Sequence, residues 1–453
     1  MSRDAEPDDA ERFPTLTEAG ARMLRRLREH PAAPIFRNRS GNRLTVADLE
    51  AVQRFEDEVR DAAVDWVPGR VPDWVRGVVA ECYAHVPAFR ARGTPPPRFE
   101  DIPSTRRADL SADIASFVPD TVPIDRLINF RTTGTTGHPM LIASHPQVAA
   151  RYLSIHKRAL RRFGVTLRHG RDQVGVVLLG HQRQCFTYVS VTPQMGESGL
   201  LKLNLHPVDW QDPDHRATYL DALEAEIYAG DPISFAELLR LQVRHRPRAL
   251  ISVSMALSPA LRARLEDRFA CPVLDIYSLN EVGPVAVFDP ALDAHVLLQP
   301  RLYVEVLDAS DRILAPGERG EITVTGGFNF CLPLLRYRTG DFGALVACPG
   351  APCIRALGGR RPVRFRNLDG EWFNNIDVSH ALARVPLSHY GFHQAADGAL
   401  TLSLRPAERA LHSDAAAQAL RPLFGVQPVR IETLDADDKV LQYGSDLPDA
   451  EIA

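Results

Sequence analysis

The stretch "RTTGTTGHPM", residues 131–140, sets four threonines and two glycines side by side and closes them with a proline. Glycine reaches backbone dihedrals that other residues avoid and lets the chain come close to a ligand. Threonine hydroxyls and uncovered backbone N–H groups are the donors an oligophosphate needs around it. A polar surface loop has the same composition, so the run by itself leaves both readings open. It is not a P-loop, because the lysine and the Gly-x4-Gly-Lys spacing are missing, and the dinucleotide-binding glycine fingerprint is absent as well.

Outward from this loop, helix and strand signals alternate. "LINFRTTG" reads as a short strand leading into the loop, and "PQVAARYLSIHKRALRRFG" as a helix ended by glycine. "DQVGVVLLG" reads as a strand, "PDHRATYLDALEAEIY" and "SFAELLRLQVR" as helices. "ALISVSM" (strand), "SPALRARLEDRFA" (helix capped by Ser258) and "PVLDIYS" (strand) repeat the unit. The alternation predicts an α/β fold with a parallel or mixed sheet covered on both faces. Upstream, "LTVADLEAVQRFEDEVR" and "PDWVRGVVAECYAHVPAFRARG" carry helical spacings, and "GTPPPRFEDIP" interrupts them.

Near residue 295 the pattern turns to alternating strands, and "RLYVEVLDASDRILAPGERGEITVTG" reads as a hairpin followed by a further strand. After "LGGRRP" (357–362) comes a smaller α+β segment with strands "ALTLSLRP" and "VRIETLD" and the helix "HSDAAAQALRPLFG". The expected organisation is a large N-terminal domain over 1–359, mixing sheets and helices, and a small mobile C-terminal domain over 360–453.

Composition excludes several classes. With 453 residues, two or three domains are expected. A hydrophobic content of 45% and a charged content of 24% are ordinary for a soluble globular protein. A net charge of −4 argues against general nucleic-acid binding. "MSRDAEPDDAERFP" lacks the apolar segment of a secretory signal, and no run approaches the roughly 20 apolar residues of a membrane span. The expectation is a cytoplasmic protein without nucleic-acid or membrane partners. Six cysteines give no disulfide framework for a chain this long. Of 53 basic residues only Lys157, Lys202 and Lys439 are lysines, so a retained lysine is a candidate for a specific role.

Three further stretches join the threonine loop: "DIYSLNEVGP" (Asp275–Pro284), "LPLLRYRTGD" (Leu332–Asp341) and "LGGRRP" with Arg360. In this order, with the upstream "AECYAHVPAFRARG", they resemble the adenylate-forming enzymes, and among them the phenylacetate–CoA ligase and coenzyme F390 synthetase branch, over roughly residues 75–450. The resemblance implies ATP-dependent adenylation of a carboxylic acid, with release of pyrophosphate. Thr132, Thr133, Gly134, Thr135, Thr136 and Gly137 match the family's phosphate loop, with His138 where relatives commonly have lysine. Glu281 matches the glutamate that holds Mg²⁺; read without the family it would be a helix-start glutamate. Asp341 matches the carboxylate that binds both ribose hydroxyls, and Arg360 the arginine reaching ribose or phosphate. Tyr277 matches the aromatic near adenine, with Ser278 and Asn280 also on the nucleotide side and Ser254 to Ala256 beside the purine. Lys439 lies where the family's C-terminal lysine contacts the carboxylate and α-phosphate. Glu281, Arg360 and Lys439 thus form the implied catalytic set.

For the acyl group, "GHQRQCFTYVS" aligns with the substrate-lining segment of aryl-acid relatives. His181, Phe186 and Tyr188, with Gly283 and Pro284, are the implied lining, and a hydroxy- or aminobenzoate such as 3-hydroxyanthranilate is the implied acid. Relatives turn the small domain about a hinge aspartate after the arginine, but this chain has Pro362 and Val363 there, and proline stiffens the backbone. The acceptor therefore stays open between CoA and a small amine or hydroxyl compound. A non-catalytic nucleotide-binding relative is the third reading, and a homodimer is left open. His295, Cys348 and Cys353 lie where relatives can carry structural zinc; three ligands fall short of the four that tetrahedral zinc wants, so zinc is not expected.

Overall fold

The apolar run Val174–Gly180 is a buried strand, as its length and composition predict. The computed structural model describes residues 9–131, 141–181, 185–358, 363–382, 384–387, 390–434 and 442–448. By contacts the chain divides into two units, Met1–Asp61 with Pro146–Leu257 and Arg262–Asp275, and Ala62–His145 with Ser258–Leu261 and Ile276–Ala453.

In the first unit Val174–Gly180 pairs in parallel with Ser198–Asn204 on one side and Ile227–Gly230 on the other. Ile227–Gly230 continues in parallel to Ala249–Ser252, which pairs with Val273 to Asp275. Tyr188–Thr192 closes the edge antiparallel to Ser198–Asn204. Central strands buried on both faces need near-continuous apolar side chains, and Val176, Val177, Leu201, Leu250, Ile251 and Leu274 supply them. Helix Glu18–Arg28 lays Met23 and Leu27 onto this sheet, where a Cβ at Gly199 would stand 3.1 Å from the Met23 sulfur. Helices Val46–Asp61 and Pro146–Arg162 are tied by Lys157, whose Nζ donates to both Glu56 oxygens at 2.8 and 3.0 Å.

Two sequence expectations shift. The helix expected through "PDHRATYLDALEAEIY" ends at Leu223, because Glu224 takes a left-handed φ of 45°, and its tail becomes the strand Ile227–Gly230. The upstream helix splits into Val75–His85 and Pro87–Arg90, since Pro87 has no N–H to continue the first.

The second unit is built around an antiparallel meander. Ile276 to Leu279 pairs with Gly283–Asp289, which pairs with Ala294–Leu297. Ala294–Leu297 pairs with Ala351–Gly358, and Leu334–Cys348, Arg319–Gly326 and Leu302–Leu307 follow in turn. Where a hairpin and a further strand were expected over 301–326, two strands form, Leu302–Leu307 paired with Arg319–Gly326, and the expected middle strand is reduced to a single Leu307–Ile313 bridge. Trp66, Phe89, Tyr303, Val304, Val324 and Leu335 form the meander's core. Further along, Tyr390–Gln394 and Leu400–Leu404 pair antiparallel, with Tyr443–Ser445 and Val429–Thr433 parallel outside them. Helix Pro406–Phe424 starts earlier than the sequence suggests, with proline at its first position, where a missing N–H costs nothing. Phe365, Phe392, Leu402, Leu420 and Phe424 form an apolar cluster of their own. Residues 359, 360, 361 and 362, where the domain boundary was expected, lie outside the described residues.

Among the described residues, no helix is long and apolar enough to cross a membrane.

Candidate active site

Glu281 stands at the tip of a hairpin. Leu279 pairs with Gly283, leaving Asn280, Glu281 and Val282 as the turn, so the carboxylate is neither at a free strand end nor at a helix start. Gly283 closes the turn at φ 77°, a dihedral that L side chains rarely adopt. Two buried amides hold the turn's backbone. Gln299 Nε2 donates to the carbonyls of Val282 (2.8 Å) and Pro284 (2.7 Å), and Asn329 Nδ2 to that of Glu281 (3.1 Å). The Glu281 side chain is itself buried, and its Oε1 accepts from the Tyr337 hydroxyl at 2.8 Å. Arg107 stands 3.9 Å from the same oxygen.

Asp341 is delivered by a defect in the sheet. Glu321 pairs with Phe342 and Thr323 with Arg338, so Thr339, Gly340 and Asp341 are looped out of the ladder as a bulge. Bulges re-aim side chains next to sites, and Gly340 permits this one with φ 77°. Glu321 Oε1 accepts from the Gly340 N–H at 3.0 Å, and Thr339 Oγ1 from the Asp341 N–H at 3.1 Å. Tyr277 Oη donates to Asp341 Oδ2 at 2.8 Å. Burial and the nearby carboxylate Asp341 hold the Tyr277 phenol well above its usual range, so it stays a donor. Burial and Glu281 do the same for Tyr337.

The Arg336-Tyr337-Arg338 run is the frame for both carboxylates. Arg336 is buried, donates through Nε to Glu305 Oε1 at 2.9 Å and through Nη1 to the carbonyls of Glu100 and Ile102. Arg338 donates to Glu321 at 2.7 Å and pairs with Asp311. Tyr337 points the other way, to Glu281, as alternation along a strand requires. Thr105 bonds the backbone on both sides of Tyr337, accepting from Arg338 N at 2.8 Å and donating to the Arg336 carbonyl at 2.9 Å. None of Tyr337, Arg107, Gln299 and Asn329 was picked out from the sequence. The only signal was the Arg-Tyr-Arg alternation next to Asp341.

In the first unit, Phe186 and Tyr188 meet edge to face with ring centroids 5.6 Å apart, and Phe186 is 53% exposed. The His181 ring lies 5.3 Å from that of His206. Thr187 and Asn38 exchange bonds that fasten this segment to residues 37–38. Ser254, after the strand Ala249–Ser252, has φ 74°. Ser254 and Ala256 follow a strand whose backbone continues into Gly230 through the Val253 N–H.

The structure thus brings together Tyr277 with Asp341, and Glu281 with Tyr337. Thr132, Thr133, Gly134, Thr135, Thr136, Gly137, His138, Arg360 and Lys439 lie outside the described residues. A magnesium ion usually takes one or two protein carboxylates and completes its shell with water and phosphate oxygens. Glu281 fits that demand: Oε1 is anchored, and Oε2 has no hydrogen bond among the described residues. No cluster of three metal-ligating side chains occurs among them. The zinc candidates are placed differently. Cys348 and Cys353 are joined as a disulfide across the Leu334–Cys348 and Ala351–Gly358 hairpin. Disulfide sulfurs offer a metal no thiolate. His295 stands opposite Phe288, ring centroids 5.2 Å apart.

Comparison with known proteins agrees with this fold. Residues 125–330 match the family described as AMP-binding enzyme. The chain is 23% identical to a phenylacetate-coenzyme A ligase of Escherichia coli (strain K12), over 64% of this chain and 70% of that protein. It is 24% identical to the corresponding ligase of Aromatoleum evansii, over 68% and 72%. Among solved structures, 2-hydroxyisobutyryl-CoA ligase in complex with 2-HIB-AMP superposes with a TM-score of 0.60 at 16% identity, covering 82% of this chain and 88% of that one. Family match, relatives and fold point the same way: the chain belongs to the adenylate-forming superfamily, on its phenylacetate–CoA ligase-like branch.

Proposed function

We propose that this chain is an AMP-forming ligase that joins an aromatic carboxylic acid to ATP, releases pyrophosphate and passes the acyl group from the acyl-adenylate to CoA. The observation that carries the reading is the pair of anchored carboxylates, Glu281 on Tyr337 and Asp341 on Tyr277, the first of them within the residues that match the AMP-binding family. Two anions react in adenylation, so the site must supply donors and positive charge around the phosphates. Magnesium bound with the nucleotide would supply part of that charge, and Glu281 is the residue to hold it. Asp341 accepts from the ribose hydroxyls, an acceptor facing a diol. Thr132, Thr133, Thr135 and Thr136 donate to the phosphates, Arg360 reaches ribose or phosphate, and Lys439 meets the charge developing at the reacting carboxylate. The small domain is taken to start at Arg360.

Support for an aryl acid comes from Phe186 and Tyr188, an exposed edge-to-face pair able to hold a flat ring, and from relatives named for phenylacetate. A hydroxy- or aminobenzoate is the substrate class. Pro362 and Val363 favour a second reading of the final step, in which an amine or hydroxyl compound takes the acyl group.

Pyrophosphate release from purified protein with Mg-ATP, across a benzoate panel with and without CoA, tests the proposal. Release that depends on one aryl acid is expected, and CoA turnover separates the two acceptors. Release with aliphatic acids alone rejects the aryl reading, and ATP binding without release on any acid rejects the ligase.

A further inference from the structure

The chain keeps only three lysines, and the two in the described residues are treated differently. Lys157 is clamped by Glu56. Lys202 is partly buried on the Ser198–Asn204 strand and has no hydrogen bond or salt bridge among the described residues. Its register neighbours are Tyr188 on one side and Leu178 on the other. Side chains in register across paired strands share a face, with Cβ atoms about 5 Å apart across the antiparallel pair. Gly180, two residues beyond Leu178 and so on that face, has no side chain, and the space its Cβ would take is met by the Cys185 sulfur at 3.0 Å. The face therefore carries Lys202, Tyr188 and Cys185 at the foot of the exposed Phe186 ring.

The nearby carboxylates are engaged elsewhere. Asp209 accepts from Asn204 Nδ2 at 2.7 Å and pairs with Arg37, and Asp231 caps the helix Pro232–Leu238 through the Ser234 N–H at 2.7 Å. Lys202 is close enough to act electrostatically on the Cys185 thiol. A partly desolvated ammonium is stabilised by an acceptor or an anion, and it can only donate.

We propose that Lys202 is a specificity-determining residue of the acyl site and reads an oxygen acceptor on the ring of the aryl acid, a hydroxyl or a second carboxylate. The inference rests on the aryl-acid reading and narrows it: hydroxylated or carboxylated benzoates are preferred over benzoate and over aminobenzoates, whose amine offers the ammonium a poor acceptor.

Calorimetry with benzoate, hydroxybenzoates, benzenedicarboxylates and aminobenzoates, in the presence of Mg²⁺ and AMP, tests this on the wild type and Lys202→Met. Oxygen-substituted acids should bind the wild type on the order of tenfold to a hundredfold tighter than benzoate, the worth of a hydrogen bond to a charged group, and Lys202→Met should erase most of that ratio. Hydroxybenzoates against dicarboxylates tell which oxygen is read. Reductive methylation with ¹³C keeps the charge of lysine and gives one resonance for each of the three lysines of the wild type. The Lys202 resonance should move with the preferred acid and stay with benzoate. Equal affinities across the panel, an equal loss for every acid in the variant, or an unmoved Lys202 resonance overturns the inference. Pyrophosphate release with an unmoved resonance would leave the ligase standing and reject Lys202. A moved resonance without release on any acid would do the reverse.

Discussion

Tyr277 Oη donates to Asp341 Oδ2 at 2.8 Å across 64 residues of sequence, and both side chains sit where the antiparallel ladder is broken. The phenol fixes the rotamer of the carboxylate proposed to meet the ribose. Tyr277→Phe removes that donor at nearly constant shape. A net hydrogen bond is worth about 1 kcal/mol, so ATP affinity should fall roughly fivefold by calorimetry. Unchanged affinity would mean that Asp341 is held by its backbone alone.

Glu281→Gln keeps an acceptor oxygen for the Tyr337 hydroxyl while deleting the charge proposed to hold magnesium. Adenylation measured as pyrophosphate release should drop by on the order of a hundredfold or more, with less than about 1 kcal/mol lost from stability in urea. Wild-type-like turnover would reject the magnesium role.

How far the sequence revealed these pairs depends on range. The apolar run Val174–Gly180 and the helix Pro146–Arg162 are local patterns, and they were legible as such. Ile227–Gly230 was not, because "AEIYAG" extends a helical pattern whose end is set by one left-handed residue, Glu224. Glu281 and Asp341 stood out through motif resemblance. Their anchors did not: Tyr337, Asn329 and Gln299 act across separations of 56, 48 and 17 residues, which no periodicity encodes. The Cys348–Cys353 bond was missed because a search for a framework of many bridges overlooks a single hairpin pair.

Asp275 predicts a pH dependence of stability. Burial pushes its carboxyl up to about 7 from an ordinary 3.8, against the pull of Arg262. The folded state then holds a proton that the unfolded state has released, so this contribution is complete below pH 3.8 and is lost as pH rises through about 7. Asp275→Asn mimics the protonated form. Its urea midpoint should match the wild type below pH 3.8 and exceed it by a margin that grows from there to about pH 7. Parallel pH profiles for the two proteins would reject the assignment.

Arg336 and Glu305 form a pair in which each side chain is only 1% exposed. Removing one partner strands the other charge, so Glu305→Ala should cost about 3–5 kcal/mol by urea unfolding. A loss below about 1 kcal/mol would show that the carbonyls of Glu100 and Ile102 suffice for the guanidinium.

The two units also differ in how soon their parts can find one another. The meander from Ile276 to Gly358 joins strands that mostly follow one another directly, so its contacts close short loops. The parallel sheet must wait for Asp275 to be made and must recruit Glu18–Arg28 and Val46–Asp61 across the intervening 62–145. Low contact order speeds folding and high contact order slows it. On a ribosome the N-terminal helices therefore emerge first yet settle only once their sheet exists, and a hydrogen-exchange pulse during refolding would find the meander protected before them.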